Sequence, residues 1–368
     1  MKWQVMREVN QMRRELVATY KLTTPLFMAG ADQTNAELRA PSIKGALRFW
    51  YRAVALSRPG GWQEVKEEEW EIFGSSKTGQ GQFLITVDGN GLPKPETFDF
   101  KRDRAGIVYL GYGLKDAARK YFKHGPDITV RLLFKPDSGE TVIEPVKKAL
   151  IALGLFGGLG ARARNGLGSV AITSLRLDGV EEWKCPQDEK ELQEKIGEFI
   201  KSLAPLPVEL PAYTAFSAQS RIVVAETGRD PVKLLDGIGR TMMAYRRDIK
   251  DDSALIRKFL NHGDKSAHPR RVAFGLPHNY FFKSDKAKVD VKAVRKERRA
   301  GPLFIHVHAL AGERYAVVLT LLPAVFLPGD EEIKLSGSGR DKTVPCRVDY
   351  GVIEQFMQEF SNRLEVIP

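Results

Sequence analysis

The stretch TPLFMAGADQTNAELRAPSIKGALRFWYRA, residues 24–53, decides most of what the sequence predicts about the fold. Its second part predicts a helix that opens at Pro41 and Ser42 and continues to about Leu56, because proline is favoured in the first helical turn and a serine hydroxyl can cap free N–H groups. Apolar residues recur on one face of this helix, at Ile43, Leu47, Trp50 and Val54. We expect the helix to pack against a sheet, with Trp50 in the core.

The segments on either side of this helix give a β-α-β-β-α-β order. Residues 16–28 predict a strand before the helix, and later apolar runs bounded by turn residues predict strands at 82–87, 128–134 and 169–177. A second helix is predicted at 142–155. Ferredoxin-like domains have this order, and RRM domains, which present their sheet to RNA, share it. The predicted fold class is therefore α+β.

The second half of the chain gives a similar but less regular series. A polar helix at 188–203 and the proline-rich segment APLPVELP, residues 204–211, are interpreted as the connection to it. The predicted strands are 221–226, 271–274, 303–310 and 314–322, and the predicted helices are 231–245, 254–260 and 350–364. We predict two ferredoxin-like, RRM-like domains packed together, residues 1–180 and 181–368, the second less regular.

The charge of the chain narrows the classes of partner. A formal charge of +11 creates a positive field that attracts nucleic acid or an anionic membrane, although a basic surface without a nucleic-acid partner stays an alternative. The apolar stretch 316–327 is interrupted by Pro323 and is too short to span a bilayer. Cys185 and Cys346 lie far apart, with no histidine at zinc spacing. We expect a cytoplasmic protein with no membrane partner, no metal and no cofactor.

A basic stripe lies on the first helix. Lys44, Arg48 and Arg52 recur every four residues, so they share one side of the helix. Arg39 precedes the helix N-terminus, where the backbone favours anions rather than cations, which makes an anionic partner a sensible reason for it. The stripe is a candidate RNA-binding surface, and a set of charges that only solvates the helix is the alternative.

A glycine-rich segment, LGLFGGLGARARNGLGSV, spans residues 153–170. Glycine lets a backbone approach a phosphodiester closely, and arginine supplies forked donors for phosphate. The segment lacks the lysine and hydroxyl residue of a nucleotide-binding P-loop. We interpret it as a phosphate-binding loop, with a flexible hinge as the alternative. Its candidate RNA-binding residues are Gly157, Gly158, Gly160, Arg162 and Arg164.

A third basic region is KSDKAKVDVKAVRKERR, residues 283–299, which carries eight Lys or Arg and three Asp or Glu. Part of the surplus of positive charge is therefore concentrated here. The segment is interpreted as a mobile basic loop that follows a nucleic-acid backbone, or as a solvated helical arm. Its candidate RNA-binding residues are Lys296, Arg298 and Arg299.

Three strings in this order make the prediction specific: GADQ (30–33), RAPSIKGALRFWYR (39–52) and GGLGARARNGLGSV (157–170). They resemble the first RAMP subunits of CRISPR Cmr (type III-B) effector complexes, and the segments FGLP (274–277) and RRAGPLFIHVHAL (298–310) are similar to that family as well. The resemblance implies two ferredoxin-like domains and a place at the end of the helical backbone of the complex. The implied partners are guide RNA (crRNA), target RNA and other Cmr subunits, in antiviral defence.

The resemblance implies an RNA-binding subunit that is not itself an enzyme, because target cleavage in such complexes belongs to other subunits. Some RAMP proteins process crRNA with a histidine, and His306 and His308 alternate on one face of a predicted strand, where they can act on RNA, bind metal or be structural. We predict no catalytic residues. The alternatives are a crRNA-processing endoribonuclease and a protein-bridging subunit without an RNA site. RNA is expected to be recognised through its phosphates, at a cleft that collects Arg39, Lys44, Arg48 and the glycine-rich segment.

Overall fold

The structure is a computed structural model. It describes residues 13–58, 60–89, 91–99, 104–114, 119–249, 251–262, 267–284, 286–296, 298–360 and 363–366.

The helices in these residues are α1 (Ala40–Ala55), α2 (Trp62–Phe73), α3 (Ala105–Leu110), α4 (Glu140–Phe156), α5 (Glu189–Lys201), α6 (Pro231–Arg247), α7 (Asp252–His262) and α8 (Gly351–Met357). The strands are β1 (Glu15–Leu22), β2 (Gly74–Ser75), β3 (Gly79–Gln80), β4 (Phe83–Asp88), β5 (Glu96–Thr97), β6 (Lys120–Tyr121), β7 (Asp127–Phe134), β8 (Val170–Leu177), β9 (Val180–Lys184), β10 (Arg221–Gly228), β11 (Gly275–Leu276), β12 (His278–Phe282), β13 (Ala287–Ala293), β14 (Arg299–Ala300), β15 (Leu303–Leu310), β16 (Arg314–Leu321), β17 (Glu332–Gly337), β18 (Arg340–Pro345) and β19 (Leu364–Val366).

The first sheet is antiparallel, with the strand order β4-β7-β1-β8-β9. Alternate residues of β1, namely Leu16, Ala18 and Tyr20, are buried, as a strand with one covered face requires. The predicted strands and helices of the first half are all present in the predicted order. Helix α1 begins at Ala40 without a side-chain cap, so the prediction that Ser42 caps it is wrong; Ser42 lies inside the first turn.

The second sheet has the strand order β15-β16-β10-β19 and follows the same scheme. Helix α6 follows β10, the hairpin β15–β16 comes after an intervening segment that contains α7 and β11 to β14, and α8 precedes β19. The helix predicted at 350–364 is shorter than expected, since it ends at Met357 and the chain returns to the sheet as β19. In both sheets the first strand therefore lies between the third and the fourth.

Helices α1 and α4 lie between the two sheets. Their apolar residues form one core with the inner face of the first sheet and with one face of the second, to which Phe304 and Val318 belong. The other face of the second sheet packs against α3, α6 and α8. Strand β15 is consequently buried at every residue, because both of its faces are covered. The sequence predicts this strand but not its double burial.

A third sheet, β12-β13-β17-β18, is inserted into the second half and has its own small core. Strand β13 contains Val289, Val291 and Ala293, which alternate inward, so the period-two apolar pattern outweighs the helix propensity of lysine and alanine. The interpretation of this basic region as a mobile loop or a helical arm is therefore wrong for residues 287–293, which form β13. The strand predicted at 271–274 is wrong too, because Arg270–Phe274 forms a 3₁₀ turn.

Candidate nucleic-acid interface

The glycine-rich segment connects α4 to β8 and contacts both halves of the chain. The Ala161 N–H donates to the carbonyl of Phe27 (2.7 Å), and the Ile305 N–H donates to the carbonyl of Arg164 (2.9 Å). A Cβ at Gly160, whose φ is +77°, would lie 2.4 Å from the oxygen of Phe27. Gly160 thus allows close backbone packing within the first half, and the hydrogen bonds from both halves argue against a free hinge.

Arg162 is the exposed side chain of this segment, in a left-handed conformation with φ +62°. Its Nε–H donates to the carbonyl of Tyr112 at 3.1 Å. Burial of part of the guanidinium lowers the pKa of Arg162, and two further cations, Arg298 and Arg119, lower it in addition. Three arginines that are distant in the sequence therefore lie near one another in the structure.

The three arginines Arg119, Arg162 and Arg298 are here called the arginine cluster. Among the described residues no carboxylate forms an ion pair with any of them. The Nε atom of Arg119 is buried and has no hydrogen-bond partner in the described part of the chain. Like charges held close together without compensation repel one another, so an anion bound between them would stabilise the cluster.

Tyr112 lies beside the arginine cluster, in the turn after α3, and is 79% exposed. A large aromatic ring in this position is available to stack on an unpaired base, a contact worth roughly 1–3 kcal/mol. The neighbouring Gly113 has a positive φ of +87°, which shapes the turn. The site therefore combines phosphate donors with a stacking surface.

Arg164 and Arg299 point to a different side of the glycine-rich segment. The Arg164 guanidinium stacks on Phe49 and Phe304, 5.1 and 4.6 Å from the ring centroids, and burial lowers its pKa to about 10. Its Nη1–H donates to the carbonyl of Gly301 at 2.7 Å. The Nε–H of Arg299 likewise donates to a backbone carbonyl at 2.6 Å. These contacts hold the two arginines against the protein itself.

Arg48 and Arg52 on α1 share one buried carboxylate. Arg52 Nη1 lies 2.8 Å from Glu69 Oε2 and Arg48 Nη1 lies 3.3 Å from Glu69 Oε1, while Glu69 itself is only 4% exposed. Arg48 also donates to the carbonyl of Gly74. The predicted basic stripe is thus largely neutralised by α2, a helix that the sequence analysis did not predict.

The remaining predicted cations lie against other neighbours. Lys44 Nζ lies 5.6 Å from the centre of the Phe83 ring, and burial lowers the pKa of Lys44. Arg39 Nε lies 3.8 Å from a carboxylate oxygen of Glu37. Lys296 is exposed, next to the third sheet. The predicted site residues are therefore distributed over several surfaces. Of these residues, Arg162 and Arg298 lie near each other, in the arginine cluster.

His306 and His308 are fully buried between the glycine-rich segment and the second sheet. The Nδ1–H of His306 donates to the carbonyl of Gly157 at 2.7 Å, and its Nε2 lies 3.2 Å from Nδ1 of His308. Burial lowers the pKa of His306 to about 4, so the ring is neutral near pH 7. The pair joins the two halves of the chain and has no exposed atom that an RNA can reach in this structure.

Residues 19–171 match the model of the RAMP superfamily. The chain is 28% identical to the CRISPR system Cmr subunit Cmr1-1 of Pyrococcus furiosus, with 90% of each chain covered. Residues 19–171 therefore resemble the RAMP superfamily, and the chain as a whole is similar to Cmr1-1. The match spans both the α1 segment and the glycine-rich segment, so the resemblance predicted from those strings is confirmed.

Solved structures show a likeness over nearly the whole chain. The crystal structure of Cmr1 from Pyrococcus furiosus in its apo form superposes with a TM-score of 0.62 and 20% identity, and covers 95% of this chain and 98% of that one. A chain of the type III-B Cmr-beta complex bound to cognate target RNA gives a TM-score of 0.58 and 12% identity, with 94% and 98% covered. At these identities the likeness establishes a shared fold.

Tyr112, Arg119 and Glu69 were not among the residues predicted from the sequence. An aromatic residue between two glycines, as in Gly111–Tyr112–Gly113, is a local signal of an exposed ring in a turn. No local signal identifies Glu69 as the partner of α1, because that contact depends on how α2 packs.

In the part of the chain that the structure describes, no helix is both long and apolar enough to cross a bilayer. The same residues contain no group of three or more His, Cys, Asp or Glu side chains arranged to hold a metal ion.

Proposed function

We propose that this protein is an RNA-binding subunit of a type III-B CRISPR Cmr complex, that it contacts crRNA or the crRNA–target duplex near the end of the backbone, and that it does not cleave RNA itself. The observation that carries the proposal is the arginine cluster beside the exposed ring of Tyr112. The match to Cmr1-1 over 90% of the chain supports the place in the complex. Cytoplasmic location is part of the same proposal.

We propose that the protein recognises RNA through contacts with its phosphate backbone. Arg162 and Arg298 are exposed cations on two segments that meet at the junction of the two halves, so they can bind successive phosphates. No base edge is read by such contacts, which suits a subunit whose guide changes while base pairing carries the sequence specificity. Tyr112 adds stacking, which every base permits.

The two halves are proposed to be two ferredoxin-like domains, with the third sheet as an insertion into the second. Both main sheets place their first strand between the third and fourth, which supports this assignment. The proposed ranges remain 1–180 and 181–368, although β9 (Val180–Lys184) pairs with β8 and so extends the first sheet past residue 180.

The test is fluorescence-anisotropy binding of the purified full chain to labelled single-stranded RNAs of several sequences, over a salt series. We expect salt-dependent binding, and we expect Arg162→Ala to weaken it by about tenfold for every sequence, because each charged hydrogen bond contributes about 1.5–3 kcal/mol. A loss that varies strongly with sequence would contradict recognition through the backbone.

The bound RNA is then run on a denaturing gel. Intact RNA is the expected result, and discrete cleavage would instead identify a crRNA-processing endoribonuclease. Absence of binding at low salt would favour a protein-bridging subunit without its own RNA site.

A further inference from the structure

Two more arginines, Arg246 at the end of α6 and Arg271 in the 3₁₀ turn, lie together in a pocket walled by aromatic rings. The Arg246 guanidinium lies 5.6 Å from the centre of the Tyr109 ring and 5.1 Å from that of Phe274. Arg271 lies 4.5 Å from the centre of the Tyr280 ring. The rings hold both cations in place without neutralising them.

Neither arginine has a carboxylate partner among the described residues. The Nε atoms of both are buried and make no hydrogen bond in that part of the chain. The nearby carboxylate of Asp252 accepts the backbone N–H groups of Arg270 (2.6 Å) and Arg271 (2.9 Å) instead. Burial raises the pKa of Asp252, whereas the two backbone N–H groups and the charge of Arg271 act in the opposite direction, so Asp252 offsets part of the charge of Arg271.

His278 does not compensate the two cations either. Its Nε2–H donates to the carbonyl of Arg271 at 2.9 Å, which leaves Nδ1 as an acceptor 3.4 Å from Arg246 Nη2. Burial, followed by the two arginines, lowers the pKa of His278 well below its usual value, so the ring is neutral. Arg246 therefore lies near a second cation and an uncharged histidine, with no carboxylate at ion-pair distance among the described residues, and an unpaired buried cation costs free energy unless an anion binds it.

The pocket adjoins the arginine cluster along α3. Tyr109, which contacts Arg246, and Tyr112, whose carbonyl binds Arg162, are three residues apart at the end of this helix. Helices α3 and α6 touch backbone to backbone, since a Cβ at Gly106 would lie 1.9 Å from the carbonyl oxygen of Asp236. This packing fixes the two groups of arginines relative to each other.

We propose that Arg246 and Arg271 bind a backbone phosphate of the same RNA strand that passes Arg162 and Tyr112. A forked guanidinium is the side chain best suited to a phosphate, and two of them on rigid aromatic supports are already oriented for it. The proposal rests on the proposed function. It extends the RNA path from the glycine-rich segment to the third sheet.

The test compares Arg246→Met and Arg271→Met with Arg247→Met in the full chain. Arg247 is the matched control, because it is the next residue of α6, is exposed, and pairs with Asp248 at 2.8 Å. All three variants lose one positive charge. We expect Arg246→Met and Arg271→Met to weaken binding of a labelled single-stranded RNA about tenfold and to reduce the slope of log K against log salt by about 0.7, with Arg247→Met within about twofold.

The Tm of the variants distinguishes an arginine that binds RNA from one that only stabilises the fold. Methionine keeps the apolar stem over the rings and removes an unpaired buried charge, so Arg246→Met should leave the Tm unchanged or raise it, while the Tm increase caused by RNA becomes smaller. A lower Tm with unchanged RNA affinity would overturn the proposal and identify a structural cation. If Arg246→Met fails to fold, Arg246→Lys, which keeps the charge but loses the fork, replaces it and should still weaken binding severalfold.

Arg162→Ala separates this proposal from the proposed function. If Arg162→Ala weakens RNA binding and both methionine variants bind as the wild type does, the pocket is not an RNA phosphate site but the proposed function stands. If none of the variants weakens binding, both proposals fail.

Discussion

Arg48 and Arg52 on α1 share the buried carboxylate of Glu69, whereas the arginine cluster has no carboxylate partner among the described residues. Both sets consist of arginines, but Arg48 and Arg52 lie about one helical turn apart, whereas the three members of the arginine cluster come from distant parts of the chain. In the structure, Glu69 neutralises Arg48 and Arg52, whereas the arginine cluster has no bound carboxylate among the described residues and can accept an anion. The number of cations in a segment therefore does not measure its capacity to bind RNA, because carboxylates from elsewhere in the chain determine how many of those cations stay unpaired.

The largest expected effect comes from removing two cations of the arginine cluster. The double variant Arg162→Ala with Arg298→Ala should weaken RNA binding about a hundredfold, since two charged hydrogen bonds contribute about 1.5–3 kcal/mol each. The matched double variant is Arg48→Ala with Arg52→Ala, which removes the same charge and should cost less than about threefold. Anisotropy at fixed salt measures both. Equal losses would show that only net charge matters and would break the comparison.

The reverse pattern is expected for stability. Arg52→Met leaves Glu69 buried with only Arg48 as a charged partner, and should destabilise the fold by about 2 kcal/mol, below the roughly 3–5 kcal/mol for a fully broken buried pair. Arg162→Met removes an exposed charge and should change the free energy of unfolding by less than about 0.5 kcal/mol. Urea unfolding of the two variants checks this. An unaffected Arg52→Met would mean that the ion-pair network contributes nothing.

Tyr112→Ala tests the stacking part of the site. We expect RNA affinity to fall about fivefold, near the lower end of the roughly 1–3 kcal/mol for a base on an aromatic ring, with the salt slope unchanged because no charge is lost. Tyr112→Phe keeps the ring and should bind as the wild type does. A changed salt slope in Tyr112→Ala would indicate that the substitution has displaced Arg162 instead.

The smallest effect is expected from freeing the α1 arginines. Glu69→Gln keeps the shape of the side chain but removes the charge that neutralises Arg48 and Arg52, so RNA affinity should rise by about twofold. Glu68→Gln is the control, because Glu68 also lies on α2 but pairs with Arg58. If both variants raise affinity equally, the gain reflects net charge alone.

Much of the fold is predictable from local pattern. The sequence predicts α1 at Pro41–Leu56, and the structure has Ala40–Ala55; it predicts β15 at its observed bounds of 303–310. These elements have strong apolar periodicity and clear end signals. The prediction of a loop or a helical arm for the basic region fails at residues 287–293. It was based on the many lysines, whereas the valines alternate as those of a strand do.

The candidate site is only half predictable. Arg162 stands out because it lies among glycines, and its exposure in the structure agrees with the role we propose for it. Its neighbours Arg298 and Arg119 are 136 residues later and 43 residues earlier in the chain, so no spacing rule connects them. His306 and His308 are a second example. Their alternation along a strand is compatible with a catalytic or metal-binding role, but both faces of β15 are covered in the structure.

By itself the sequence determined most of the helices and strands, the glycines that allow close backbone packing, and the excess of positive charge, because helices, strands and turns depend on contacts within a few residues. The tertiary structure decided which charges remain open. Coulomb energy depends on distance and solvent exposure, and these are set by packing between residues far apart in the chain, such as Arg52 with Glu69 and Arg162 with Arg298.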